Sequence, residues 1–421
     1  MRTCPERSGP SSLRPRTSDA APRLAARRLA ATRRLVATRQ PTESCMTDTL
    51  PGIDPADPPD PAQLPPPVGM LLLVTAKWIS QAVHVAAELG IADLVSDGPQ
   101  TVDDLAAKAG CRTQPLHRVL RAIASYGVFA ELPDGRIVNT PMSDYLRTDV
   151  PGSVRHMARM EGADFTWRPY GKLLHTVRTG EPAFDHVFGQ RIFDHLAEHP
   201  REEEIFNRAM TSFTEQSADA IVADHDFSRH PVITDLGGGQ GHLLAAILRA
   251  NPEVRGVLLD RAPVVESAQR APVGPEVRAR MSYVAGDFFG PIPPEAHADA
   301  YVLRTCLHDW SDDECVAILR NVRTAMGDRT DARLLIMESV VQPGNAFDVG
   351  KLIDLEMLTL TTGLERTEAQ WAHVLERAGF AVAAITETEP PLSVIEARPA
   401  SAHTPTAVPT AVQTPTDGGT S

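Results

Sequence analysis

The chain has 421 residues, 42% of them hydrophobic and 23% charged, with a formal net charge of -13. This is the balance of a soluble globular protein with length for two or three domains and a large core. The acidic surplus argues against general nucleic-acid binding, which needs clustered Lys and Arg. Cys4, Cys45, Cys111, Cys306 and Cys315 are scattered, odd in number and without a C-x-x-C pair. Such usage points to the reducing cytoplasm and to neither a disulfide frame nor a zinc site.

Residues 1–40 are rich in Arg, Ala and Ser, with few acids and no hydrophobic signal core. That composition suits a transit peptide, a disordered arm, or an upstream extension that is not made, with Met46 as the start. Residues 51–67 are Pro-rich and read as an extended linker, so 1–67 is expected to be a disordered extension and linker. The run LLLVTAKWISQAVHVAAELGIADLV then predicts a helix apolar on all sides, suited to a core or a subunit interface. Lys77, Gln81 and His84 interrupt it, which argues against a membrane span. Thr101 and Asp104 open a capped second helix, and Pro115 sits in the first turn of a third. FAELPDGRIVNT reads as a hairpin about a Pro-Asp-Gly turn. Three helices and a hairpin over 68–150 form a winged-helix plan. It serves either DNA, through Arg118 and Arg121, or dimerisation; three basic residues on that helix in an acidic chain favour dimerisation.

Residues 151–228 read as a helical connector rich in Met and aromatic residues, including Met157, Met160, Phe165, Phe206, Met210 and Phe213. Such a stripe is core, pocket wall, or both. From 229 to 398 strands alternate with helices: VITDL, VRGVLLD, MSYVAGD, AYVLRTCLH and RLLIMESVV, then a closing antiparallel pair, FAVAAITE and SVIEARP, joined at Pro390-Pro391. Ser311 with Glu314, and Thr367 with Gln370, are capping boxes for helices between them. The expected fold class is α/β, a doubly wound sheet with ligand at the strand C-termini. Residues 399–421 are a low-complexity tail.

Each strand end in that region carries polar residues. The first, VITDL, runs into GGGQG and then an apolar helix, which places a ligand at a helix N-terminus. The dinucleotide fingerprint fails, because its last position is His242. Gly237, Gly239 and Gly241 instead resemble the acidic-x-G-x-G-x-G loop of S-adenosylmethionine (SAM) methyltransferases. The second strand ends in Asp260, placed to accept hydrogen bonds from ribose hydroxyls or else to cap the next helix. The third ends in Asp287 and Phe288, suited to an adenine amino group and face. The fourth ends in Arg304 and then His308, whose neutral form accepts a proton near pH 7. Glu338 ends the fifth and Glu365 lies in GLERT; either carboxylate can orient His308.

Together DLGGGQG, LLDRAPVV, GDFF, LRTCLHDWSDDECVAIL and GLERT resemble the SAM-dependent O-methyltransferases of the plant caffeic acid and bacterial natural-product type. The resemblance runs from about 68 to 398. It implies a Rossmann-like methyltransferase sheet behind a winged-helix dimerisation domain, an obligate homodimer, SAM as cofactor and no metal. It implies His308 as general base flanked by Glu338 and Glu365, with Gly237, Asp260, Asp287, Phe288 and Arg304 on SAM. Arg304 stands where the family more often has Lys. Phe206, Met210 and Met357 fall where the family lines the acceptor pocket. The expected reaction is methyl transfer to a hydroxyl of a small acceptor, an aromatic polyketide, a carotenoid-type alcohol or another hydroxylated metabolite, with no nucleic-acid or membrane partner. Two alternatives remain: a methyltransferase-like hydroxylase or decarboxylase that holds SAM without consuming it, and a SAM-sensing regulator.

Overall fold

The computed structural model describes residues 65–388 and 391–400. The arm and most of the linker at the N-terminus, the tail beyond 400, and Pro390 of the last turn lie outside the described residues. The first helix, α1 (Pro66–Glu88), begins two residues before the expected domain start at 68, so Pro66 and Pro67 form its first turn and not linker. Proline fits there because its missing N–H would be unpaired anyway. By length and composition α1 could cross a bilayer, yet it is engaged with protein. Gln81 donates to the Gly162 carbonyl at 3.2 Å, and His84 Nδ1 lies 3.2 Å from the Ala158 carbonyl oxygen. Its other face leaves Val68, Met70, Leu71, Leu73, Val74 and Trp78 between 45% and 66% exposed.

Behind α1 come α2 (Ile91–Leu94), β1 (Gln100–Thr101), α3 (Val102–Ala109), α4 (Thr113–Ala124), β2 (Phe129–Glu131) and β3 (Arg136–Asn139). The strands form a small antiparallel sheet in the order β1-β3-β2; the two-residue β1 is too short to show as a hydropathy pattern. Thr101 caps α3 as expected, accepting the Asp104 N–H at 3.1 Å. Ile91, Leu105, Leu116, Leu120, Ile123, Phe129 and Ile137 bury the core of this unit.

After α5 (Pro141–Asp144), four short helices follow: α6 (Arg155–Glu161), α7 (Asp164–Tyr170), α8 (Leu173–Thr179) and α9 (Ala183–Phe188). Each ends on a glycine, Gly162, Gly171, Gly180 and Gly189, as helix C-termini favour. Then come α10 (Ile192–Glu198) and the long α11 (Pro200–Asp224).

The large sheet contains β4 (Val232–Leu236), β5 (Arg255–Asp260), β6 (Met281–Ala285), β7 (Ala300–Arg304), β8 (Arg333–Ser339), β9 (Phe380–Glu387) and β10 (Leu392–Pro399). Its order is β6-β5-β4-β7-β8-β10-β9, parallel through β8, with β10 antiparallel to both neighbours. The chain fills one side of β4 and then crosses to the other with β7, so the crevice of a doubly wound sheet opens between these two strands. Leu334, Leu335, Ile336 and Met337 of β8 are fully buried, which is why the strand reads as an unbroken apolar run. Helices α12 (His242–Ala250), α13 (Ala262–Ala268) and α14 (Pro275–Arg278) pack beside β4 to β6. Between the later strands lie α15 (Asp312–Met326), α16 (Val349–Leu360) and α17 (Glu368–Arg377). Apolar side chains of α15 and α17 share one core with the sheet, and those of α12 another. The expected capping boxes of α15 and α17 are both formed.

One buried cation ties the loop after β7 to the segment before α17. The fully buried Arg366 donates from Nη1 to the Leu307 carbonyl at 3.2 Å, from Nη2 to the Trp310 carbonyl at 2.9 Å and from Nε to Asp312 at 2.9 Å, with its guanidinium over the Trp371 ring. Arg366→Met removes the charged donor from both carbonyls, leaving Leu307 the Trp310 N–H at 3.3 Å and both the weak Cys315 thiol, and strips Asp312 of its partner; it should cost about 3 kcal/mol of unfolding free energy in urea titrations. A loss under about 1 kcal/mol would show the loop to be held by other contacts.

Candidate active site

A cavity of about 790 Å³ opens at the C-terminal ends of β4, β5 and β7 and is closed over by α6, α7, α10, α11 and α16. Its floor is the turn from β4 into α12. Gly237, Gly239 and Gly241 adopt φ of 69°, 57° and 79°, a left-handed conformation that side-chained residues resist. A Cβ on Gly237 would lie 3.2 Å from the Phe288 ring, whereas one on Gly239 would meet nothing within 4 Å. Gly239 therefore faces open space, and its backbone is bare to a ligand. Gly241 does not reach the cavity wall. It caps α12, and a Cβ there would press on Leu258 and Met281 at 3.2 Å, so it lets helix and sheet close together.

Asp260 at the end of β5 faces the same space, its Oδ2 accepting the Gly239 N–H at 2.9 Å and Oδ1 its neighbour Arg261 N–H at 2.7 Å. Burial pushes its carboxyl up, opposed by those two N–H groups. Asp235, buried under the turn, has one oxygen without a partner; burial, with Asp260 adding to it, pushes its pKa up to about 7. Asp287 and Phe288 line the cavity, Asp287 also accepting the Phe289 N–H at 2.9 Å. Arg304 lines it too, but its guanidinium turns to α11. It donates to Thr214 and Ser217 hydroxyls at 2.7 Å and to the Phe213 carbonyl at 3.3 Å, leaving Nε buried without a partner. Burial lowers its pKa to about 10.

His308 follows a strained turn. Thr305 has φ of 42°, a rare state for a β-branched residue. Glu338 supports what comes next: its Oε1 accepts the N–H groups of Cys306 and Leu307 at 2.9 Å and of His308 at 3.4 Å. This carboxylate is fully buried behind the wall and holds the loop from beneath. Glu365 contacts the ring itself, Oε1 lying 2.6 Å from His308 Nδ1, whereas the nearest approach of Glu338 to that nitrogen is 3.7 Å. Nδ1 then carries the proton and Nε2 is left free for the cavity, where Asp309 comes no closer than 3.8 Å. A Cβ on Gly363 would lie 1.7 Å from the His308 carbonyl oxygen, so the two loops meet backbone to backbone.

The surrounding carboxylates favour the charged imidazolium over the neutral imidazole. Burial alone would lower the His308 pKa, but Glu338, Asp309 and Glu365 outweigh it and raise it to about 10. Burial in turn pushes Glu338 up to about 7 and Asp309 to about 6, with His308 opposing both. Three carboxylates around one imidazole share protons as a set. His308, Glu338 and Glu365 also present ligating atoms within 4.8 Å of one another, as do His195, His199 and Glu202. These donor sets are compatible with a cation, although Glu338 Oε1 is already committed to three N–H groups.

Phe206, Met210 and Met357 lie on the wall beside Phe193 and Trp310. The structure adds residues that sequence reasoning gave no role. Asp309 is a third carboxylate at the imidazole, Thr214 and Ser217 hold Arg304, and Glu161 and Glu356 put acids on the helical wall beside Tyr170, a member of the aromatic stripe. A signal existed for the last group: an acid embedded in the Met-rich helices α6 and α16.

A model of the O-methyltransferase domain matches residues 170–381, and one of the O-methyltransferase dimerisation domain matches 71–149. A phenazine O-methyltransferase of Lysobacter antibioticus is 42% identical over 330 residues, covering 78% of this chain and 95% of the relative. The solved structure of a mitomycin 7-O-methyltransferase superposes with a TM-score of 0.74 at 37% identity, over 80% of this chain and 98% of that one. An O-methyltransferase from neocarzinostatin biosynthesis, solved with SAM and 2-hydroxy-5-methyl naphthoic acid, superposes with a TM-score of 0.67 at 31% identity over 76% and 96%.

The buried Asp235 gives a pH test. Folded, it keeps its proton up to about pH 7; its ordinary pKa is 3.8. The folded state binds the extra proton between those values, so Asp235 subtracts stability as pH rises through that window and by a constant amount above it. Asp235→Asn mimics the protonated form. The melting temperature of the variant minus that of the wild type should be roughly 3 °C or more higher at pH 8 than at pH 5 in cofactor-free protein. Equal differences at both pH values would mean that Asp235 titrates normally.

Proposed function

Because the chain belongs to the O-methyltransferase family, we propose that His308 takes the proton of an acceptor hydroxyl as the methyl of SAM passes to that oxygen. The enzyme is a SAM-dependent O-methyltransferase, and its relatives work in secondary metabolism. The observation that carries the role of His308 is its 2.6 Å contact with Glu365 through Nδ1, on a wall shared with the glycine turn. Glu365 sets the tautomer and Glu338 the loop, so Nε2 meets the acceptor oxygen in its accepting form.

Bound SAM supplies a methyl already activated on a sulfonium. Gly239 offers open backbone to it and Gly237 lets Phe288 close on the turn, Asp260 suits its ribose hydroxyls, and Asp287 with Phe288 suits its adenine; Arg304 closes that side of the cavity. The unpartnered oxygen of Asp235 and the raised carboxyl of Asp260 fit a site built to receive hydrogen-bond donors and positive charge. A sulfonium beside His308 disfavours the imidazolium, which shifts the imidazole toward the neutral base. Once His308 has taken the proton, Asp309, Glu338 and Glu365 stabilise the cation that results. A phenol is mostly protonated at pH 7, so a positioned base contributes in addition to alignment. Phe206, Met210 and Met357 offer an apolar wall suited to a small aromatic acceptor. The exposed apolar face of α1 supports a homodimer seated on the dimerisation domain.

His308→Ala should leave the SAM dissociation constant within about twofold by calorimetry and lower methyl transfer about a hundredfold or more, read as S-adenosylhomocysteine release over a panel of phenolic acceptors. Turnover near the wild-type rate would remove the general-base role. Asp260→Ala should weaken SAM binding itself by about tenfold or more, and unchanged affinity would contradict the ribose contact.

A further inference from the structure

Two acids on the cavity wall take no part in the chemistry described above. Glu161 ends α6 and Glu356 lies on α16; both line the cavity, with Tyr170 at the end of α7 beside them. The Tyr170 hydroxyl donates to Glu356 Oε2. Glu356 Oε1 is buried and has no hydrogen-bond partner. No Lys or Arg among the described residues pairs with either carboxylate. The wall has two arginines, Arg304, committed to α11, and Arg261, beside Asp260.

We propose that Glu161 and Glu356 form an acceptor subsite for an ammonium group, so that the preferred acceptors are phenols carrying a basic amine and not aryl carboxylic acids. This rests on reading the cavity as the acceptor pocket of a methyltransferase. An ionised carboxylate removed from water needs a counter-charge or several donors, and Glu356 has one donor where its two oxygens can take more. Burial pushes Glu161 up to about 8, with Glu356 adding to it, and pushes Glu356 up as well; a cation bound between them would favour the ionised form of each. The surrounding wall is apolar, with Met157, Phe165 and Leu360, so a charge placed there is weakly screened. An acceptor carboxylate would bring one more charge of the sign that this wall already disfavours, whereas an ammonium would supply the counter-charge that ionisation of these acids needs. Selectivity of this kind combines an attraction with a repulsion.

The test uses dopamine and 3-(3,4-dihydroxyphenyl)propanoic acid, which share a catechol and differ in bearing an ammonium or a carboxylate. Calorimetry on the full chain with saturating S-adenosylhomocysteine should give dopamine an affinity at least about tenfold greater than the acid. The double variant Glu161→Gln, Glu356→Gln should bring the two within about threefold, by weakening dopamine, with cofactor affinity retained as the check on folding. Equal affinities in the wild type, a preference for the acid, no binding of either, or a preference that survives the double variant would each overturn the subsite. Binding is read without turnover, so selective binding of dopamine with no S-adenosylhomocysteine released from SAM would count against the transfer reaction while leaving the subsite standing.

Discussion

The site depends on how a buried carboxylate and a buried guanidinium hold one short loop. Glu338 gathers the N–H groups of residues 306–308, and Arg366 gathers the carbonyls of Leu307 and Trp310. A loop lacks the ladder hydrogen bonds of a strand, so its backbone groups must find partners elsewhere when buried. Here two side chains supply them from opposite sides. Their grip also makes the left-handed Thr305 tolerable, since a strained residue persists only where its surroundings over-determine it. The strain turns the chain off β7 and presents the imidazole to the crevice, instead of continuing the strand. Glu365, from the segment that Arg366 anchors, then fixes the ring. Placement of the ring is therefore a property of backbone satisfaction first and of the imidazole second.

Electrostatics organise the rest of the cavity. Its acids stand in groups: Asp235 and Asp260 under the glycine turn, Asp287 beyond β6, Asp309 and Glu365 about the imidazole with Glu338 behind them, and Glu161, Asp194, Glu203 and Glu356 on the helical wall. Several are pushed upward by burial, away from the ionised form. A low-dielectric cleft in that state responds strongly to an arriving cation, because ionisation and binding then reinforce each other. The donor of the methyl group is such a cation.

Much of this was legible in the sequence, for identifiable reasons. The parallel strands showed as apolar runs because both faces are covered, and VITDL matches β4 residue for residue. Helix starts showed where capping boxes mark them, at Ser311 and Thr367. Strand ends carried the polar residues because a doubly wound sheet puts its ligand there. What stayed hidden was the pairing of distant residues. Nothing in GLERT announces that Arg366 serves a loop 56 residues earlier, and Tyr170 meets Glu356 across 186 positions. The sequence offered Glu338 and Glu365 as equals beside His308; only geometry divides them into the support of a backbone and the partner of a ring. The charge state of His308 likewise depends on how many carboxylates converge on it, which no spacing reveals.

The contact at Gly363 has a bearing on how the cavity walls can move. With no room there even for a methyl group, the loops bearing His308 and Glu365 behave as one fused block, and neither can swing without carrying the other. The helical wall is built differently: α6 and α7 are rods of seven residues, and while Gly162 between them is packed against His84, α7 ends on a looser joint at Gly171. Joints of that kind yield at small cost in backbone energy. The imidazole and its carboxylate partner are thus held in alignment as one unit, independently of the short helices across the cavity.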